Sequence, residues 1–256
     1  MYYSILRPSL KIISGILLLV LLFNGCKKEQ MNDCFSSTGK DETVERTLES
    51  FHSIYVTNQF DLVLTQDTSH TEKVRITGGK NVLEGVSTKI ENGQLKIENC
   101  NKCNFVRSYD RKITVEVFIK SIDDIFCEGA SSISCSDTLS LSKLKLYHTA
   151  LNDVNLLVNT DGEINVESIN SGATIIAGRA FKLSGSIEEI SELDARNLIC
   201  DEVIFDNHSP LDSYINATKI IYVGIYGNGN VYYVKEPSEV LAVKEARRNG
   251  RLLLLK

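Results

Sequence analysis

The chain has 256 residues, of which 43% are hydrophobic, and a formal net charge of −5. This length and hydrophobic fraction are enough for one large domain or two modest ones, so they exclude a chain that is disordered throughout. The acidic balance, with no stripe of basic residues to offset it, excludes a surface that binds nucleic acid.

Residues 1–25 have the composition of a bacterial signal peptide. Arg7 and Lys11 precede an apolar run over residues 12–23, which is shorter than the roughly 20 residues that span a bilayer. A small residue directly before Cys26 resembles the lipobox of bacterial lipoproteins, in which the cysteine sulfur receives diacylglycerol and the new N-terminus is acylated. The sequence therefore predicts lipidation at Cys26, with a plain signal peptide or a short signal anchor as the alternatives.

The segment 26–45 is polar, with almost no apolar periodicity, and predicts a tether that holds a domain away from the membrane. Several acyl chains, such as palmitate, give stable anchoring where a single chain is marginal. We expect a lipid-anchored protein of the cell envelope, at the outer membrane. Location on the periplasmic face and location on the cell surface remain the two alternatives.

The next part of the chain, from residue 51, alternates apolar and polar residues. Residues 59–65 and 113–119 are the clearest examples, and each predicts a strand with one buried face. The pair Asn92 and Gly93 predicts a tight hairpin, because both central positions of a type I′ turn need positive φ. One helical turn is expected around residues 81–86.

A loose repeat begins near residue 122. Val154 follows Ile133 by 21 residues and Ile175 follows Val154 by 21, while later copies are more degenerate. One such unit cannot bury both of its faces, so neighbouring units must stack. The fold predicted is all-β, a single-stranded β-helix-like β-solenoid with an N-terminal set of short antiparallel strands. Asparagines at the turns are expected to form partial ladders in which amides bond one another.

The ending of this domain, residues 227–237 with the sequence GNGNVYYVKEP, is similar to the Gly-x-Gly-x-Val-x-Tyr-x-Gly-x-Pro closure of the DUF2807 family. Residues 51–56 and 60–66 resemble that family's opening strands. The family is described as the head GIN domain of auto-transporter adhesins and is common among Bacteroidota lipoproteins. The resemblance, over roughly residues 44–240, implies a β-helix-like fold in the cell envelope.

These features divide the chain into four parts: the leader 1–25, the tether 26–45, the solenoid domain 46–240 and C-terminal capping strands 241–256.

Cys100 and Cys103 are the sharpest local motif, because two thiols three positions apart can form a disulfide or share a metal ion. A zinc site needs two further ligands, for which Cys127, Cys135 and His148 are loose candidates. We therefore expect no metal and no cofactor, and a disulfide or free thiols packed as small apolar groups remain the two alternatives.

Four tyrosines of the last coils, Tyr222, Tyr226, Tyr232 and Tyr233, are the candidate binding surface. If exposed, they form an amphipathic contact surface, and if buried, they are ordinary core residues.

The function predicted is that of an envelope lipoprotein that presents a rigid β-helical domain for binding or adhesion, without catalytic residues. Its partners are the membrane, through the lipid, and a surface glycan or protein. The alternatives are a carbohydrate-active β-helix enzyme, which would use carboxylates such as Asp153 and Asp194, and a purely structural envelope component. The sequence does not define the oligomeric state.

Overall fold

The computed structural model describes residues 37–68, 72–101, 112–244 and 249–256. Within these ranges, 21 strands join in one continuous sheet, accompanied by one short helix. Successive coils pair in parallel, which confirms the predicted β-solenoid. Among the residues described, no helix has the length and apolar character needed to cross a membrane.

The N-terminal elements precede the regular coils. They are β1 (Asp41–Thr47), β2 (Ser53–Val56), β3 (Phe60–Gln66), β4 (Lys73–Gly79), α1 (Lys80–Leu83), β5 (Val86–Glu91), β6 (Gln94–Asn99) and β7 (Ile113–Ile119).

The coils follow. Their strands are β8 (Asp124–Cys127), β9 (Ser132–Cys135), β10 (Leu139–Ser140), β11 (Leu144–His148), β12 (Val154–Asn159), β13 (Glu163–Ile169), β14 (Ala173–Glu188), β15 (Glu192–Asp194), β16 (Leu198–Asn207), β17 (Ser213–Ile215), β18 (Ala217–Ile225), β19 (Val231–Tyr233), β20 (Glu239–Lys244) and β21 (Leu252–Leu254).

Each complete coil contributes to three sides of the solenoid. Face 1 contains β3, β9, β12, the start of β14, then β15, β17, β19 and β21. Face 2 is short and includes residues 178–180 and 198–200. Face 3 contains β6, β2, β8, β11, β13, the end of β14, then the ends of β16 and β18, and β20.

The core lies inside the coils because each strand turns alternate side chains inward. On face 3, one inward column runs through successive coils in register, with a bulky residue at most levels. Its members are Leu95, Ile54, Ile125, Leu146, Val166, Gly185, Phe205 and Val223. Apart from the glycine, all are fully buried or nearly so, so the removal of apolar surface from water holds each coil to the next.

Antiparallel strands close the N-terminal end of the solenoid. β4 pairs with β1 and β7, and β5 pairs with β6. β1 begins at Asp41, so the boundary predicted for the tether is wrong at its end: residues 41–45 belong to the sheet. The polar residues 41–45 do not indicate a tether, because the charge of Glu45 is used in ion pairs with Arg75 and Lys73 on β4, at 2.9 and 3.4 Å.

The register of the repeat differs from the prediction at its third copy. Val154 pairs with Ile133 as predicted, but its next partner is Thr174, 20 residues later, and not Ile175. Ile175 is only partly buried, whereas Thr174 is fully buried. An apolar pattern misassigns this position because a polar residue occupies the inward site.

The last strands continue the stack. β20 pairs in parallel with β18, and β21 with β19, so the strands of the segment predicted as a cap belong to a further coil, which begins at Glu239.

The predicted asparagine ladder takes another form at two turns: the amide of Asn152 donates to the carbonyl of Ala130, and that of Asn216 to the carbonyl of Arg196. These side chains bond the backbone of the previous coil.

Candidate functional site

The cysteines predicted to carry chemistry lie mostly outside the described residues. This holds for Cys26 and for Cys103, so lipidation and the disulfide stay predictions, while Cys100 is exposed just after β6. Cys127 and Cys200 are buried, and burial raises the pKa of each thiol to about 12. At neutral pH both are protonated and behave as apolar core groups. Within the described ranges, no three His, Cys, Asp or Glu side chains are grouped to hold a metal ion.

The four predicted tyrosines do not form one surface. Tyr222 lies on face 3 and is 43% exposed, and Tyr232 lies on face 1. Tyr226 follows β18 in the turn between these faces, where its ring stacks on His208 with centroids 4.7 Å apart. Tyr233 packs against the core, and its hydroxyl donates to Glu236.

The rings on face 1 form a column that serves coil stacking. The guanidinium of Arg196 lies 3.8 Å from the ring centroid of Tyr214, which is stacked at 5.4 Å on Tyr232. Asp194 fixes the arginine through a 2.8 Å ion pair to Nε and raises its pKa. Because both ring faces of Tyr214 are covered, it offers a ligand only its edge and hydroxyl.

A row of exposed apolar side chains runs along the C-terminal half of face 3. Ile204, Tyr222 and Leu241 pair in register on three successive strands and are 40, 43 and 48% exposed. We call this set the apolar row. Contiguous exposed apolar surface on a soluble domain marks an interaction surface more often than isolated apolar residues do. A rigid sheet holds the three side chains at fixed spacing.

An open pocket of about 300 Å³ lies at the N-terminal end of the same face. We call it the hairpin pocket, because the β5–β6 hairpin forms one wall and β2 and β8 form its floor. Residues from three separate segments line it, including His52, Glu91, Asn92, Lys96, Asp124 and Phe126. The sequence predicted the hairpin but not the pocket, because the lining residues are distant in sequence and share no spacing.

The candidate catalytic carboxylates are each held by a donor. Asp153 accepts from the backbone N–H of Ala173 at 2.9 Å, and Asp194 pairs with Arg196. Asp201, a further carboxylate on β16, accepts from Lys219 at 2.9 Å, which lowers its pKa. Each of these carboxylates therefore accepts from a donor of its own, unlike the facing acid and base pair of a glycosidase.

The parallel pairing of successive coils defines the class of protein, a β-solenoid, and face 3 carries the hairpin pocket at one end and the apolar row at the other. The chain belongs to the family described as "Putative auto-transporter adhesin, head GIN domain", whose model matches residues 50–237. This confirms the family predicted from the sequence.

Solved structures share the fold. A protein named as a putative adhesin from Bacteroides fragilis is 19% identical, with a TM-score of 0.79 over 86% of this chain and 100% of that one. A second, from Parabacteroides distasonis, is 13% identical, with a TM-score of 0.59 over 86% and 99%. A protein of the same species named as a putative lipid binding protein is 16% identical, with a TM-score of 0.56 over 85% and 98%. No curated protein matches the chain.

Proposed function

We propose that this chain is a lipid-anchored envelope protein that uses its solenoid for adhesion and performs no catalysis. The observation that carries the proposal is the apolar row of face 3, in which large side chains on three successive coils are 40 to 48% exposed. Exposed apolar side chains held at fixed spacing favour contact with another molecule. Membership of an adhesin family supports the same reading.

The partner is a glycan or protein at a cell surface. The acidic chain, with a net charge of −5, disfavours nucleic acid. A glycosidase requires two carboxyl groups facing each other across a substrate cleft. Asp153, Asp194 and Asp201 instead bond donors of their own, so their arrangement favours binding over hydrolysis.

The anchor is the acylated Cys26, and the location is the outer membrane. Its support is the apolar leader that ends in a small residue and a cysteine. Metabolic labelling with a fatty-acid analogue tests the anchor: the wild-type protein should incorporate the label and the Cys26→Ala variant should not. Label retained in the variant contradicts the assignment.

Adhesion is tested with purified mature chain and surfaces coated with glycans or with extracellular proteins. Tyr222→Asp should weaken binding at least tenfold, because a charge interrupts the apolar row. Leu157→Asp is the matched control, since Leu157 is 40% exposed on β12, outside the apolar row. Equal loss in both variants, or none in Tyr222→Asp, contradicts the role of the row.

A further inference from the structure

The hairpin pocket is preformed by backbone contacts. Asn92 and Gly93 have φ values of 52° and 74°, as the tight turn requires. The N–H of His52 donates to the carbonyl of Gly93 at 2.9 Å, and the carbonyl of His52 accepts from Asp123 at 2.9 Å. The residue before β2 thus ties the hairpin to the start of β8, which fixes the hairpin wall relative to the floor of the pocket.

Gly93 also determines where the imidazole of His52 lies. A side chain at this glycine would place its Cβ 2.6 Å from Nε2 of His52, which is closer than van der Waals contact allows. Because glycine has no side chain at this position, the imidazole can lie over the turn. The imidazole thereby becomes part of the pocket lining.

In the lining, the amide of Gln94 donates to the hydroxyl of Ser53 at 3.1 Å, and the other polar groups fall into two sets. Glu91 and Lys96 form an ion pair, which lowers the pKa of the carboxyl and raises that of the amine. The carboxylate of Asp124, the imidazole of His52 and the amide of Asn92 have no hydrogen-bond partner among the described residues. This second set supplies an acceptor, a group that can donate or accept, and an amide that does both.

An aromatic ring completes the pocket. Phe126 lies next to Tyr55 and Tyr147 in an outward row of face 3. Its ring is tilted by 49° from that of Tyr147, with centroids 6.2 Å apart, so the two rings are not stacked face to face. The half-buried Phe126 lines the pocket and gives it an apolar wall.

This combination of groups selects one chemical class of ligand. A phosphate or sulfate would meet the unpaired Asp124, while the ammonium of Lys96 is already neutralised by Glu91. A lipid chain would leave the polar groups without partners. A sugar ring presents C–H groups on one side and hydroxyls at its edge, which match an aromatic wall beside a carboxylate and an amide. The volume of about 300 Å³ accommodates one such ring.

We propose that the hairpin pocket binds a single residue of a neutral saccharide. Asp124 accepts hydrogen bonds from sugar hydroxyls, and Asn92 and His52 form further hydrogen bonds with these hydroxyls. Phe126 packs against the C–H face of the sugar. The inference rests on the proposed adhesive function and names the ligand for one end of face 3.

The experiment probes a glycan array with the full mature chain in which Cys26→Ser removes the acylated cysteine. The array carries neutral, sialylated and sulfated oligosaccharides. We expect binding to neutral glycans, at least tenfold weaker in Asp124→Asn and Phe126→Ala. The matched controls are Asp123→Asn, which keeps the backbone N–H that bonds His52 and changes only a carboxylate facing Lys143 at 3.8 Å, and Tyr147→Ala, one strand further along face 3. Both should bind like the parent chain.

Absence of neutral-glycan binding, selective binding to anionic glycans, or equal loss in pocket and control variants overturns the proposal. Far-ultraviolet circular dichroism of each variant separates loss of binding from loss of fold. If the wild-type chain binds the coated surfaces and Tyr222→Asp weakens that binding while the array is negative, the pocket inference fails and the proposed function stands.

Discussion

His148 lies fully buried inside the solenoid, where its two ring nitrogens have separate partners. Nδ1 is 2.8 Å from the hydroxyl of Thr174, and Nε2 is 2.9 Å from the carbonyl of Asn152. The hydroxyl of Ser168 completes the network at 2.8 Å from Thr174. A satisfied polar network in a core fixes one register, because any shift of a coil leaves buried groups without partners.

Thr174→Val tests this network. The substitution keeps the shape but leaves His148 and Ser168 each short of a partner, so we expect the free energy of unfolding to fall by about 2 to 4 kcal/mol. The measurement is urea denaturation. Thr114→Val is the control, an outward strand position whose side-chain hydroxyl has no hydrogen bond in the described part of the chain, and should change stability by less than about 0.5 kcal/mol. Equal effects contradict the network.

The same histidine predicts a pH dependence of stability. Burial lowers the pKa of His148 below 6.5, and the carbonyl of Asn152 and the charge of Asp153 only partly offset this. The unfolded chain therefore binds the proton more readily, and stability falls as pH drops below about 6.5, by at most about 1.4 kcal/mol per pH unit.

Urea denaturation of the wild type and His148→Gln at pH 7.0 and 5.5 measures this contribution. The variant should lose less stability between the two pH values, because it has no proton to gain. Carboxylates with lowered pKa, such as Glu163, act at lower pH and are common to both proteins. Identical pH dependence in the two chains contradicts a neutral buried His148.

At the scale of elements, β14 shows how one strand follows the bend of the coil. It runs for 16 residues and pairs with β12 over its first half and β13 over its second. Gly178 and Gly185 have φ values of 112° and 126° within it. A Cβ at Gly185 would lie 1.8 Å from the carbonyl oxygen of Val166, so the close approach of β13 and β14 requires glycine there.

Gly185→Ala should therefore lower the free energy of unfolding by about 2 to 3 kcal/mol. Its control is Ser186→Ala, at the next position of β14 and only partly buried. Differential scanning calorimetry should show a lower Tm for the glycine variant alone. An unchanged Tm for Gly185→Ala argues against the close approach of β13 and β14 at this position.

Sequence periodicity predicted the strands and the stack. It failed where a polar or charged side chain takes part in a specific contact and interrupts the apolar alternation. The predicted register of the repeat was wrong by one residue at Thr174, because this inward threonine is a hydrogen-bond partner of His148. The end of the tether was misassigned, because the charges of Glu45 are paired across β1 and β4. The hairpin pocket was missed because a solenoid brings residues 52, 91 and 124 together through stacking, which no local spacing records.

For the whole molecule, the residues that stabilise the solenoid are different from those that face 3 exposes to a partner. Inward columns and the Arg196, Tyr214 and Tyr232 column stabilise the stack. Face 3 carries the surfaces open to a partner, with the hairpin pocket at one end and the apolar row at the other. In the proposed arrangement, Cys26 attaches this stack to the membrane through a polar tether.

Attachment of whole cells tests the central proposal, adhesion through face 3, most directly. Bacteria that express the full wild-type chain, Tyr222→Asp or Leu157→Asp at equal surface levels are counted on glycan-coated and protein-coated surfaces. We expect the wild type and Leu157→Asp cells to attach above the level of cells without the protein, and Tyr222→Asp cells to fall at least tenfold towards that level. Equal attachment by cells with and without the protein would contradict adhesion through face 3.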